Sequence, residues 1–370
     1  MAGRVDTTRP AHAGRLGYRP GLDGLRAIAI ATVLVFHVGA FSREKTLGGG
    51  FLGVEVFFVI SGFLITALLV EEYERNSRIS LGKFYVRRAL RLFPALFAVV
   101  AVAVIYASFA PRNQLHETAK EAVSAIFYWD NWFHALNIGN PTILLHTWSL
   151  SIEEQFYVLW PIVLIGALWL TRTRTRRELW LLPFALVAAA SITRAGVSLA
   201  HPSSFMRLYF GTDTRADALL IGCTLALVWA RGLPRRLESL LTWLAVPSVV
   251  VLALLMWFAR VPGRSLYVYG LLACSLAAAV LIANVVTGRP AALVHVLERP
   301  ALVFVGKISY GLYLWHYVVF WIVRDYTGGW SQASRVPLEL ALAVTVAVAS
   351  YYVLELPIVR QKVRFTPQRA

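Results

Sequence analysis

The sequence predicts an all-α integral membrane protein with about ten transmembrane helices and both termini in the cytoplasm. Three observations carry that prediction. Of 370 residues, 58% are hydrophobic and 15% charged, with mean hydropathy +0.62; soluble domains have about 45–50% and about 25%. The apolar residues gather into ten runs, 25–41, 50–70, 92–110, 148–170, 179–198, 216–230, 240–259, 266–286, 301–323 and 336–354, several near the ~20 residues that cross a bilayer. Lysine and arginine concentrate in the stretches 75–91, 172–177, 231–236 and 360–369. This positive-inside asymmetry places those stretches, and both termini, at the cytoplasmic face. The net charge of +16 is therefore mostly topological. Anionic lipid of the bilayer accounts for it, and nucleic acid is not expected as a partner.

Residues 1–24 read as a basic cytoplasmic segment without a cleavable signal pattern, 25–355 as one membrane domain, and 356–370 as a short cytoplasmic tail. The protein is expected in the plasma membrane as a multi-pass chain. The first run carries Arg26 near its start and His37 near its end. At 100° per residue this spacing brings both within about 20° of one face, roughly 16 Å apart along the axis. Two ionisable groups on one stripe of a membrane helix point to function. Glu55 lies near the outer end of run 50–70. Residues 80–94 read as a separate amphipathic helix with Ser80 as N-cap and Pro94 at the start of the next span; Lys83, Arg87 and Arg91 recur every four residues on one face.

The segment 111–147 is long for a structureless connection and is expected to fold over the outer mouth. Its Tyr128, Trp129 and Trp132 suit sugar faces or the membrane interface. Run 148–170 has Glu153 and Glu154 at its outer end. Arg215 and Asp217 open run 216–230; two residues apart, they pair poorly with each other and are each expected to pair with another helix. His316 lies in the outer half of run 301–323. Glu355 is expected to cap or to pair with a basic neighbour. Cys223 and Cys274 show no metal spacing and no disulfide framework, and read as buried small hydrophobes. No metal ligand is assigned, and His12, His116, His134, His146, His201 and His295 are given no role.

Five spans thus bring His37, Glu55, Glu153 or Glu154, Arg215 with Asp217, and His316 to one level in the outer leaflet. Facing a shared polar cavity is their least expensive arrangement. Arg26, Lys83, Arg87, Arg88, Arg91 and Lys307 form a second level at the cytoplasmic surface. A cationic mouth with a histidine about 16 Å deeper describes a site for a long ligand with an anionic head and a reactive end. An acyl-CoA has that shape, as a cosubstrate and not a resident cofactor. A proton-coupled transporter or flippase would use the same residue types, but no inverted repeat is visible.

Six segments extend the reading: YRPGLDGLRAIAIATVLVFH, GGGFLGVEVFFVISGFLIT, FYVRRALRLFPAL, HTWSLSIEEQFYVLWP, GKISYGLYLWH and YYVLELP. In this order, from residue 18 to residue 357, they resemble the motif series of the membrane acyltransferase-3 family, multi-spanning bacterial O-acyltransferases. The resemblance implies transfer of an acyl group, often acetyl, from cytoplasmic acyl-CoA to a hydroxyl. The acceptor would be a sugar of a cell-envelope glycan, a glycolipid, or a glycosylated secondary metabolite such as a macrolide. The family's Arg-x10-His signature falls on Arg26 and His37, and its Trp-Ser-Leu-x-x-Glu signature on Trp148, Ser149, Leu150 and Glu153. Its Gly-Val-acid-Phe-Phe stretch would place the acid at Glu55, with a valine intervening before Phe57. Many members carry a fused hydrolase-like domain, and none is expected here. The resulting expectation is that His37 acts as general base, Glu153 orients it, and Arg215 is a possible oxyanion donor. Arg26, with Arg88 or Arg91, would hold the CoA phosphates; Glu55, Trp148, Ser149, Arg215, Asp217 and His316 would line the acceptor side. A covalent acyl-His37 relay is an alternative.

Overall fold

The computed structural model describes residues 16–40, 48–110, 114–171, 178–201, 204–260 and 263–360. Residues 1–15 of the expected N-terminal segment, the basic stretch 172–177 and residues 361–370 of the expected tail lie outside them. Among the described residues all regular structure is helical, as the composition predicts. Three long helices come first: α1 (Pro20–Ala40), α2 (Gly53–Asn76) and α3 (Leu81–Phe109). The long connection that follows folds into α4 (Gln114–Ile126) and α5 (Asp130–Ala135). Then come α6 (Trp148–Leu170), α7 (Leu181–Ala200), a short α8 (Phe205–Phe210) and α9 (Thr212–Ala230). α10 (Arg235–Trp243) and α11 (Ala245–Phe258) are bent by 43°. α12 (Leu271–Thr287) and α13 (Ala291–Leu297) lead to α14 (Pro300–Lys307) and α15 (Ser309–Tyr326), a second pair, bent by 67°. α16 (Gln332–Ser350) ends the bundle through a π-turn, Tyr351–Glu355, into α17 (Leu356–Arg360).

Among the described residues seven helices are long and apolar enough to cross a membrane, or nine if each bent pair is one span. The tenth expected span, 216–230, falls in α9. That helix has three charged residues, Asp213, Arg215 and Asp217, in its first two turns, too many for lipid contact. It lies inside the bundle, with Arg215 and Asp217 buried.

α2 is the central helix, with 78% of its apolar window buried against 22% for α7 and for α16 at the perimeter. It meets α9 where both backbones are bare. A Cβ on Gly62 would lie 1.9 Å from the Leu219 carbonyl oxygen, and one on Gly222 2.1 Å from that of Val59. Small residues at such a crossing let membrane helices pack backbone to backbone. Gly222→Val should therefore separate α2 from α9. The expected result is loss of the monodisperse peak in size-exclusion chromatography of the detergent-solubilised protein.

Three expectations are corrected. Residues 80–94 are not a separate helix: α3 runs unbroken from Leu81, with Pro94 inside it. The missing N–H of Pro94 frees the Leu90 carbonyl one turn earlier, a local loss that membrane helices tolerate; beside it the Tyr310 hydroxyl ties α15 to α3 through the Leu92 carbonyl at 2.8 Å. The expected span 301–323 breaks after Lys307, where Gly306 packs against the Asp23 backbone of α1. Glu355 has no ion pair among the described residues. The π-turn aims it inward, where it accepts from Ser350 at 3.4 Å and lies against Gly311.

Candidate active site

One end of the bundle opens into a vestibule of about 1260 Å³, solvent-open space included, whose charged lining is Arg19, Arg26, Arg91 and Lys307 against the carboxylates Asp23 and Glu355, a cationic surplus. Arg26 and Arg91 also line a second cavity of about 930 Å³, again with solvent-open space included, so the two share a wall. The inner cavity is enclosed by α1, α2, α3, α6 and α15. Its polar lining comes from Arg26, Ser61, Arg88, Arg91, Ser149, Glu153, Tyr157, Ser309, Tyr310 and Tyr313; the remainder is mostly apolar. A cationic mouth leading to an apolar tube suits a ligand with a polyanionic head and a long thin arm.

The arginines are not equivalent. Arg26 is 3.8 Å from Asp23. Arg88 pairs with Glu154 at 3.3 Å, its guanidinium 3.3 Å above the centre of the Tyr157 ring. Arg91 makes no ion pair among the described residues, which leaves its charge for a ligand. The Arg88–Glu154 contact joins residues expected at opposite membrane levels. Arg88 lies two turns inside α3, about 10 Å along its axis, so the two levels meet on this side of the cavity. Glu153 accepts from the hydroxyls of Ser61 and Tyr157.

At the inner end Ser149 Oγ and Tyr313 Oη are 2.6 Å apart, and Tyr313 donates to the His146 carbonyl at 2.8 Å. The Tyr313 ring lies 5.6 Å from that of His316, so Tyr313 joins the cavity to a histidine cluster. His316 Nε2 is 3.2 Å from His37 Nδ1. The tautomers follow from the carbonyls. His37 Nδ1 is 3.0 Å from the Val33 oxygen and His316 Nδ1 is 3.1 Å from the Leu312 oxygen. A carbonyl only accepts, so both Nδ1 atoms carry the hydrogen. His316 Nε2 is then an acceptor for His37 Nδ1–H, and His37 Nε2 keeps its lone pair. His146 completes the cluster: it donates from Nε2 to the Leu314 carbonyl at 3.0 Å and stacks on Tyr317 at 5.0 Å. Arg324, itself 2.7 Å from Glu339, reaches the His37 carbonyl at 3.4 Å.

Arg215 and Asp217 each pair with another helix, as their spacing predicts. Arg215 meets Glu55 of α2 at 2.6 Å, and Asp217 meets Arg194 of α7 at 2.5 Å. All four are buried. Glu55 also accepts from Ser275 at 3.3 Å. The Arg215 guanidinium lies 5.5 Å from the ring of Trp148 and 5.3 Å from that of Tyr209. Phe51 and Phe36 continue this aromatic wall to His37 through ring contacts of 5.9, 5.4 and 5.1 Å.

The structure therefore brings together His37 with His316, Arg26 with Arg91 and Glu153 in one cavity, and Glu55, Arg215 and Trp148 in one wall. It does not bring Glu153 to His37, since no hydrogen bond joins them among the described residues. His146, Tyr313 and Arg324 had no assigned role in the sequence. His146 stands two residues before Trp148 inside a quoted motif, and that adjacency was the available signal.

The family profile described as acyltransferase domain matches residues 19–355. The chain is 35% identical over 367 residues to the putative peptidoglycan O-acetyltransferase YrhL of Bacillus subtilis, covering 95% of this chain and 56% of the relative. It is 35% identical over 358 residues to the peptidoglycan O-acetyltransferase OatA of Listeria monocytogenes, covering 92% and 56%. A putative O-acetyltransferase of Staphylococcus aureus is 33% identical over 366 residues, with 95% and 59% covered. The chain thus spans little more than half the length of these curated relatives. No solved structure matches. With its bundle of membrane-length helices, the chain is a multi-pass protein of the cell membrane, and it belongs to the acyltransferase-3 family.

Proposed function

We propose that this chain is a membrane O-acetyltransferase that moves an acetyl group from cytoplasmic acetyl-CoA to a hydroxyl of a cell-envelope glycan, peptidoglycan first. The observation that carries this reading is the cationic vestibule sharing a wall with a cavity lined by Tyr313, whose ring lies 5.6 Å from that of His316, the partner of His37. The relatives named as peptidoglycan O-acetyltransferases support the acceptor class. Arg26 and Arg91 hold the CoA phosphates at the cytoplasmic end. The pantetheine arm follows the apolar cavity toward Ser149 and Tyr313.

His37 Nε2 takes the proton of the acceptor hydroxyl as its oxygen attacks the thioester carbon. The tetrahedral intermediate collapses, the C–S bond breaks, and the imidazolium returns the proton to the CoA sulfur. The products are the O-acetyl ester and free CoA. His316 Nε2 shares the His37 Nδ1–H with the Val33 carbonyl, whose bond fixes the productive tautomer, and steadies the imidazolium. Steadying the imidazolium is part of what a triad carboxylate does elsewhere, so His316 takes the place expected of Glu153. Glu153 instead fixes the cavity wall through Ser61 and Tyr157.

The test is acceptor-dependent CoA release by the purified protein in lipid, with acetyl-CoA and a panel of glycans, glycolipids and glycosylated metabolites. Release should require a glycan acceptor. Arg91→Met removes a charge-assisted phosphate contact worth about 1.5–3 kcal/mol, so KM for acetyl-CoA should rise roughly ten- to hundredfold while the protein stays folded. Movement of a solute without consumption of acetyl-CoA would establish a carrier instead.

A further inference from the structure

Away from the cavity, the cap built by α4 and α5 holds three buried ligand-type side chains around one point. Glu121 comes from α4; Asp130 and His134 come from successive turns of α5. His134 Nε2 lies 2.8 Å from Glu121 Oε1 and 3.5 Å from Asp130 Oδ1. One ligand atom from each residue falls within 4.8 Å of the others. All three side chains are at most 1% exposed.

The internal geometry is not that of a finished hydrogen-bond network. Neither His134 ring nitrogen nor Glu121 Oε1 makes a properly directed hydrogen bond among the described residues, although Nε2 and Oε1 are close. An imidazole that bonded the carboxylate directly would aim its N–H at the oxygen. Here the nitrogen and the oxygens are adjacent without a hydrogen bond between them, an arrangement that ligands of a common centre also have. Glu121 is held by its far oxygen, and Asp130 accepts a hydrogen bond on each oxygen, including the one that faces His134. Glu121 Oε2 accepts from the Thr142 backbone N–H at 3.1 Å and from its hydroxyl. Asp130 accepts from Ser124 at 2.7 Å on Oδ1 and from Thr147 at 2.8 Å on Oδ2. Outer hydrogen bonds of this kind orient metal ligands. Charge is compatible with an ion, because two carboxylates buried together are costly and His134, even when protonated, offsets only one of them.

We propose that Glu121, Asp130 and His134 bind one divalent transition-metal ion, with Zn²⁺ as the first candidate and Mn²⁺ as the second. One imidazole and two carboxylates are ligands that both ions accept. The role is structural. The ion staples α4 to α5, and Asp130 carries the restraint through Thr147 and Ser151 to the start of α6, which supplies Trp148, Ser149 and Glu153. The site is independent of the acyl-transfer reading, and its test uses no activity assay.

The tag-free full-length protein is purified in detergent and its metal content measured by inductively coupled plasma mass spectrometry. Wild type should retain about one equivalent of zinc or manganese, with Glu121→Gln and Asp130→Asn retaining less than a tenth of that. Stripping wild type with a chelator should lower its thermal midpoint by several degrees, and added Zn²⁺ should restore it. Thr142→Val, which removes only an outer hydroxyl, should weaken Zn²⁺ binding about tenfold. Absence of stoichiometric metal in wild type, together with a midpoint unmoved by chelator and by Zn²⁺, would overturn the proposal. So would equal metal content in wild type and in folded ligand variants. If the ligand variants do not fold, the two wild-type measurements decide.

Discussion

His37→Ala should abolish acetyl transfer while leaving the bundle folded. General-base catalysis contributes about 10²–10⁴-fold, and a loss of kcat in that range is the expected result. His37 is half-buried near the end of α1, and among the described residues its side-chain hydrogen bonds reach the Val33 carbonyl and His316. The variant should therefore keep wild-type melting behaviour and wild-type KM for acetyl-CoA. His316→Phe gives a graded counterpart. It removes the acceptor that shares the His37 Nδ1–H with the Val33 carbonyl but leaves Nε2 in place. kcat should fall with KM for acetyl-CoA unchanged, and by less than in His37→Ala. Stopped-time assays of ester formation across acetyl-CoA concentrations separate the two parameters. Full activity in folded His37→Ala would remove the base from this position, and unchanged kcat in His316→Phe would deny the histidine pair a role.

Glu55→Ala should be the most destabilising single change in the membrane core. It strips the carboxylate from Arg215, which is 2.6 Å away and 1% exposed. Breaking a buried pair by removing one partner costs roughly 3–5 kcal/mol, because the remaining charge is buried without compensation. Thermal unfolding in detergent, followed by tryptophan fluorescence, reads the loss directly. Glu55→Ala combined with Arg215→Met should recover much of it, since apolar replacement of both partners is often neutral. A double-mutant cycle then yields the coupling between the two residues. Additive single effects would show that the pair does not act as a unit. Activity in the double variant reports separately on whether Arg215 is needed as more than a structural partner.

Much of the site was legible because the lipid environment is intolerant of stray charge. Arg26, His37, Glu55, Arg215 and His316 stand out of apolar runs, and each lies in or beside a polar cluster of the bundle. Glu154 and Arg88 stand at different depths along their isolated helices, while in the bundle a long guanidinium reaches across the gap. Pro94 reads as a boundary because proline interrupts the local hydrogen-bond ladder; the packing that keeps α3 continuous includes Tyr310, 218 positions from its partner Leu92. His134 and His146 carried no signal by themselves, since a histidine in a connecting segment looks the same whether solvated or buried.

The sequence by itself determined the all-helical membrane fold, the family, and the set of polar residues held within the membrane. Hydropathy, loop charge and ordered motifs are properties of the chain read in one dimension, and each sums over many residues. Only the tertiary structure decided the partnerships: His37 with His316, Glu55 with Arg215, Asp217 with Arg194, and Glu121 with His134. Partner choice depends on the rotation of each helix about its axis and on how closely two backbones cross. Those quantities are set by packing between segments up to 279 residues apart, and no local period encodes them.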